Sequence, residues 1–74
     1  MLEVDKLYCI ENQYWYILKD YGNKYQVLFN GYKDNDKYYM DKYSKAYNIL
    51  IGTLPVQPTP QQQKEINLAK IKYL

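Results

Sequence analysis

The sequence predicts an α+β domain: a small antiparallel β-meander or small β-barrel of four to five strands, followed by one C-terminal α-helix. Three observations point there. Over residues 1–52 aromatic and β-branched residues alternate in short runs punctuated by Gly, Asn and Asp, which is the spacing of hairpin-linked strands. Residues 53–59 are rich in proline, which denies the backbone donors and extends each preceding residue. Residues 60–74 then carry a helix-opening signal. The chain has 74 residues, enough for one domain with a single modest core.

Taken in order, Leu2 to Ile10 reads as a first strand and Glu11-Asn12-Gln13 as its turn. Tyr14 to Lys19 follows, with Tyr14, Tyr16 and Leu18 on one face and Trp15 and Ile17 on the other, so both faces are apolar. In Asp20-Tyr21-Gly22-Asn23, Gly22 or Asn23 can supply the positive φ of a tight turn. Lys24 to Asn30 alternates cleanly: Tyr25, Val27 and Phe29 point to the core, and Lys24, Gln26 and Asn30 point away. Asn30-Gly31 and Asp34-Asn35-Asp36 are turn signals, and Lys37 to Met40 is a further strand. Across Asp41 to Ile51 two patterns compete. Tyr43, Ala46, Tyr47 and Leu50 have helical spacing, whereas Tyr47 to Ile51 suits a buried strand; the expectation is an irregular turn followed by that strand. The core expected from these faces is Val4, Leu7, Cys9, Trp15, Ile17, Tyr25, Val27, Phe29, Ile49 and Ile51.

Leu54 to Pro60 holds three prolines and forms a semi-rigid connector. Thr59 then serves as N-cap, Pro60 occupies the first helical position and Gln62 closes a capping box, so a helix runs from Pro60 to about Tyr73. Its apolar residues do not share one stripe. Ile66, Ala69 and Tyr73 cluster on one side; Leu68, Ile71 and Leu74 lie roughly opposite. The first set can cover a sheet face. The second would be left in water, and is expected to serve self-association as a homodimer through this helix.

Composition limits the chemistry. Histidine is absent, which removes the commonest general base and metal ligand, and all ten cationic side chains are lysines, so bidentate guanidinium recognition is excluded. Ser44 has no histidine to activate it, Gly22, Gly31 and Gly52 form no phosphate-binding loop, and Asp34, Asp36 and Asp41 lack the glycine and terminal glutamate of a calcium loop. No catalytic residue, metal or cofactor is therefore expected. Cys9 is the only cysteine, so no internal disulfide exists; within Leu7-Tyr8-Cys9-Ile10 it reads as a small buried hydrophobe in a reducing compartment. Residues after Met1–Asp5 show no signal-peptide apolar region and no run long enough to span a membrane. The expected location is the cytoplasm, that of the host cell if the protein is viral. Enrichment in Lys, Asn, Tyr and Ile with no Arg is what an AT-rich genome imposes, and fits a viral or mobile-element source.

Eleven tyrosines are the richest functional vocabulary in the chain. About half suffice for a core this small, so several are expected at a surface, where flat, low-entropy rings suit protein interfaces and base stacking alike. The segment Tyr14-Trp15-Tyr16-Ile17 through Gln26-Val27-Leu28-Phe29-Asn30-Gly31-Tyr32-Lys33-Asp34 resembles the Tudor and SH3-like small barrels, with their Trp-Tyr strand, Gly-Asn turn, Val-x-Phe strand and Gly-Tyr corner. The resemblance implies an SH3-like barrel over about residues 7–40 and an aromatic cage for a methylated Lys or Arg, which by position is Tyr16, Phe29 and Tyr32. The wider candidate binding surface is Tyr16, Tyr21, Phe29, Tyr32 and Tyr38. The functional expectation is a small non-catalytic interaction protein docking on a larger macromolecule, such as a viral factor modulating a host protein. A nucleic-acid-binding module, stacking bases on Tyr and Trp with Lys64, Lys70 and Lys72 at phosphates, is the alternative. Net zero charge over residues 1–52 disfavours it: seven lysines balance seven acids there, and the whole excess of +2 lies beyond.

Overall fold

The computed structural model describes residues 2–29 and 38–73, with the side chains of Phe29, Tyr38 and Tyr73 outside that description. Four strands, β1 (Leu7–Ile10), β2 (Gln13–Asp20), β3 (Lys24–Phe29) and β4 (Tyr38–Asp41), form one antiparallel sheet in the order β1-β2-β3-β4. Two helices follow, α1 (Lys45–Leu50) and α2 (Pro60–Tyr73). The meander and the C-terminal helix agree with expectation. The barrel alternative does not: the sheet is open, because β1 pairs only with β2 and with a single residue of the connector, never with β4. The expected core position of Phe29 and the turns at Asn30-Gly31 and Asp34–Asp36 lie outside the described residues.

Openness follows from how the two faces are covered. On one face Trp15, Ile17, Tyr25, Val27 and Met40 pack with Leu2, Tyr8, Tyr47 and Leu50. On the other, Leu7, Tyr16, Leu18 and Leu28 pack against Ile66 and Ala69 of α2. Each face is apolar and each receives a helix, so the sheet is the middle layer of a small sandwich and has no need to curl. The two apolar faces read in β2 are thus both real.

Local chemistry sets the connections. Glu11 and Asn12, at φ 49° and 67°, form the two-residue loop between the Ile10 and Gln13 pair, matching the right-handed twist of the flanking strands. Gly22, at φ 92°, meets the positive-φ requirement of the next turn, and Asp20 Oδ1 accepts its N–H at 2.8 Å. Between Ile17 and Lys19 the register slips by one, a bulge that leaves Leu18 buried and aligns Lys19 with Gln26.

Three expectations are corrected. The first strand begins at Leu7, not Leu2. Asp5 takes a left-handed conformation, φ 69°, which breaks the run; Leu2 folds onto the α1 face, where its carbonyl accepts the Tyr25 hydroxyl at 3.5 Å, and Val4 is turned out to solvent. Cys9 is only partly buried, on the edge strand. Residues 45–50 are helix rather than strand. Ser44 caps α1 by accepting the Tyr47 N–H at 3.2 Å, and the helical spacing puts Tyr47 and Leu50 onto the sheet while Ile49 and Ile51 remain exposed. A strand would have buried the two isoleucines; the uncovered apolar face of the sheet takes the helix instead.

The connector crosses the outer edge of β1, where Val56 donates its N–H to the Leu7 carbonyl at 2.8 Å, and delivers the chain to the opposite face. The capping box then forms as read: Gln62 N–H bonds Thr59 Oγ1 at 3.1 Å and Thr59 N–H bonds Gln62 Oε1 at 2.9 Å.

Candidate interaction surface

On the α2 side of the sheet an aromatic region stays open, because among the described residues α2 does not cover the whole of its face. On that side the position before Leu28 along β3 is Gln26, flanked across the register by Lys19 of β2 and Tyr39 of β4. Gln26 is buried, and its Oε1 accepts the Tyr21 hydroxyl at 3.3 Å. Tyr21 and Tyr39 meet edge to face with ring centroids 6.0 Å apart and remain 47% and 38% exposed. Lys24 places its ammonium 4.5 Å from the Tyr39 centroid, and Lys19 lies 5.7 Å from that of Tyr21. The result is a patch of two half-open phenol rings with two cations at their faces.

Of the sequence-predicted surface residues, the side chains of Tyr16 and Tyr21 are described, and they lie apart. Tyr21 belongs to this patch. Tyr16 is only 3% exposed beneath α2, with its hydroxyl donated to Asp5, and so stands apart from this patch; alternation along a strand with two apolar faces could not show which tyrosines a helix would cover. Tyr38 pairs in register with Val27, and Phe29 ends β3; their side chains, and the whole of Tyr32, lie outside the described residues. Leu68 and Ile71 stand on the outer side of α2, 55% and 82% exposed, as their spacing implied, while Leu74 lies outside the described residues. Tyr39, Lys19, Lys24 and Gln26 were missed. Tyr39 was within reach, since its opposite parity to Met40 separates it from the core; Lys19 was not, because the bulge that brings it beside Gln26 has no signature in the residues.

A second tyrosine group packs on the α1 side, with Tyr25 and Tyr47 buried and Tyr43 82% exposed. Tyr25 stacks on Tyr47, with centroids 6.1 Å apart, and Tyr43 meets Tyr47 edge to face. Lys42 lies over the Tyr25 ring at 4.8 Å and pairs with Asp20 at 3.1 Å, tying the β2–β3 turn to the end of β4. Burial raises the Tyr25 phenol above its usual range, and the Gly22 N–H bond followed by Lys42 lowers the Asp20 carboxyl. On the α2 side Asp5 accepts from Tyr16 and pairs with Lys70 at 2.7 Å. The Lys70 bond, then the Tyr16 bond, holds this carboxyl below the usual value, while burial and the same carboxylate push the Tyr16 phenol up.

Two depressions accompany these groups. One of about 350 Å³ lies between the connector and α2, and its polar wall includes the Asp5, Tyr16 and Lys70 set, whose charges already answer each other. The other, about 430 Å³, runs between the β1–β2 hairpin and α1 over Ile10, Trp15, Ala46 and Ile49. Among the described residues no group of His, Cys, Asp or Glu is placed to hold a metal ion, and no helix is long and apolar enough to cross a membrane.

Comparison with protein-family models, with curated proteins and with solved structures finds no match, so the fold and this surface alone define the class: a small open-sheet α+β domain with a tyrosine–lysine face.

Proposed function

We propose that this chain is a small non-catalytic docking domain that binds a partner protein through the surface formed by Tyr21, Tyr39, Lys19 and Lys24. One observation carries the reading: on a face otherwise sealed by α2, two large rings stay half open, already oriented by Gln26 and by each other. Phenol rings fixed in advance lose little entropy on contact and bring a large apolar area with a polar tip, the properties of interface anchors. The composition, with its AT-rich codon bias, suits a viral or mobile-element factor acting on a host protein. Nucleic-acid binding is less well supported, since the sheet region has no net charge and the chain has no arginine.

Photo-cross-linking tests the reading. A benzophenone amino acid placed at Tyr39, with another at Gln61 on α2 as reference, is irradiated in nuclease-treated extract of the native cells. A discrete protein adduct specific to the Tyr39 position is expected; adducts equal at both positions, or none, would remove the proposal.

A second reading concerns α2. Leu68 and Ile71 are neighbours on adjoining turns of its outer side, and full burial of such side chains is worth about 1.5–3 kcal/mol each, so a second copy offering the same stripe would gain by covering them. Sedimentation across a concentration series decides it: a dimer that Leu68→Lys with Ile71→Lys renders monomeric supports self-association, and a wild-type monomer throughout ends it.

A further inference from the structure

We infer that the occupant of the Tyr21–Tyr39 surface is an acidic segment of the partner, whose carboxylates meet Lys19 and Lys24 beside the ring surface that those lysines leave exposed; this rests on the docking role proposed above. The argument is one of charge and of which ring surfaces are free. An aromatic pair in a binding face can receive a cation, a nucleobase or an acidic peptide, and the three need different things of the rings. A cation needs an open π face. Here the chain's own ammonium groups stand over the faces, 4.5 Å from the Tyr39 centroid and 5.7 Å from that of Tyr21, so an incoming methyl-lysine or arginine meets like charge where it needs negative potential. A base needs the same faces for stacking and meets the same lysines.

A carboxylate needs cations at the rim, and Lys19 and Lys24 supply them, while the Tyr21 hydroxyl is already donated to Gln26. Among the described residues neither Lys19 nor Lys24 forms an ion pair, in contrast with Lys42 and Lys70, which are committed to Asp20 and Asp5. Asp20, the acid nearest in sequence to Lys19, is turned to Lys42 and the Gly22 N–H. Asp41 stands opposite Lys24 in the strand pair and offsets part of its charge, without a contact of ion-pair length. Lys24 is held by its contact with the Tyr39 ring on a strand, and Lys19 is placed by the bulge, so both charges are positioned before any partner arrives.

The test titrates the full chain with a short labelled poly-glutamate peptide, a poly-lysine peptide of equal length and an oligothymidylate of equal charge, at low and near-physiological salt. Binding of poly-glutamate is expected, weakening as salt rises and falling about tenfold in the Lys19→Gln, Lys24→Gln double variant. Lys19 is exposed and Lys24 half-buried, and a far-UV spectrum and melting temperature matching wild type establish that the variant is folded. A Lys64→Gln variant, neutralised on α2, should bind as wild type. Tighter binding of the oligonucleotide or of poly-lysine, or poly-glutamate binding that falls equally in all lysine variants, overturns the inference, as does absence of binding. These failures are separate from failure of the docking role. If Tyr39 still cross-links a discrete protein that poly-glutamate does not displace, the docking reading stands and the acidic partner is wrong.

Discussion

Ile66→Ala measures how much of the fold depends on α2. Ile66 is 1% exposed and packs, with Ala69, against Leu7, Tyr16, Leu18 and Leu28; among the described residues these two are the buried side chains that α2 contributes to the sheet. Truncating a buried isoleucine to alanine costs about 2–5 kcal/mol, and a helix resting on an outer face can settle toward the gap, so the lower part of that range, about 2–3 kcal/mol, is expected. Alanine's higher helix propensity returns only a few tenths of a kcal/mol. A domain of 74 residues has roughly 4–11 kcal/mol in total, so the loss is a large share of its stability. At about 4–8 °C per kcal/mol it lowers the melting temperature by roughly 8–24 °C. Leu68→Ala is the matched control: the same helix and a similar deletion, but at a 55% exposed position, where about 1 kcal/mol or less is expected. Circular dichroism melts of the three proteins give the shifts, and amide exchange shows whether α2 opens alone, losing protection while β2 and β3 keep theirs. Equal melting temperatures for the two variants would refute this account of α2 docking.

The Asp5–Lys70–Tyr16 set predicts pH dependence at both ends. Asp5 titrates lower in the fold than its ordinary 3.8, so its contribution is present above that value and lost as pH falls through the folded one; Lys70→Met should flatten this acid limb in pH-dependent melts. The Asp5 side chain is 63% exposed, which holds the effect at neutral pH to about 1 kcal/mol or less. Tyr16 titrates above its ordinary 10.0, so its stabilisation is full below that value and declines as pH rises beyond it, a decline that Tyr16→Phe should remove. The caps offer a further check: Ser44→Ala and Thr59→Ala each leave an N-terminal amide without its side-chain acceptor and should cost about 1 kcal/mol by chemical denaturation, and values near zero would mean that packing alone sets the helix starts. Gly22→Ala meets open space but needs positive φ, so a loss of about 1 kcal/mol, with no change in the final structure, is expected from the same denaturation measurements.

Much of this architecture was present in the order of residues. Strands β2 and β3, the turns at Glu11-Asn12 and Gly22, the break at the prolines and the start of α2 at Thr59-Pro60 rest on backbone rules that act within a few residues, and so they could be read locally. The two-sided character of β2 was equally visible in Tyr14 to Leu18, as was the outward position of Leu68 and Ile71. Tertiary structure decided what those faces would meet. Residues 45–50 carried both a helical and a strand pattern, and only the bare apolar face above Trp15, Ile17 and Tyr25 selected the helix that buries Tyr47 and Leu50. The same competition sent Tyr16 under α2 and left Tyr21 and Tyr39 half exposed, because α2, resting on Ile66 and Ala69 among its described residues, covers only part of the sheet face. The surface exists where that cover stops. Its lysines reach it through a bulge and a cross-strand register, and both depend on pairing between segments distant in sequence, which spacing along the chain does not encode.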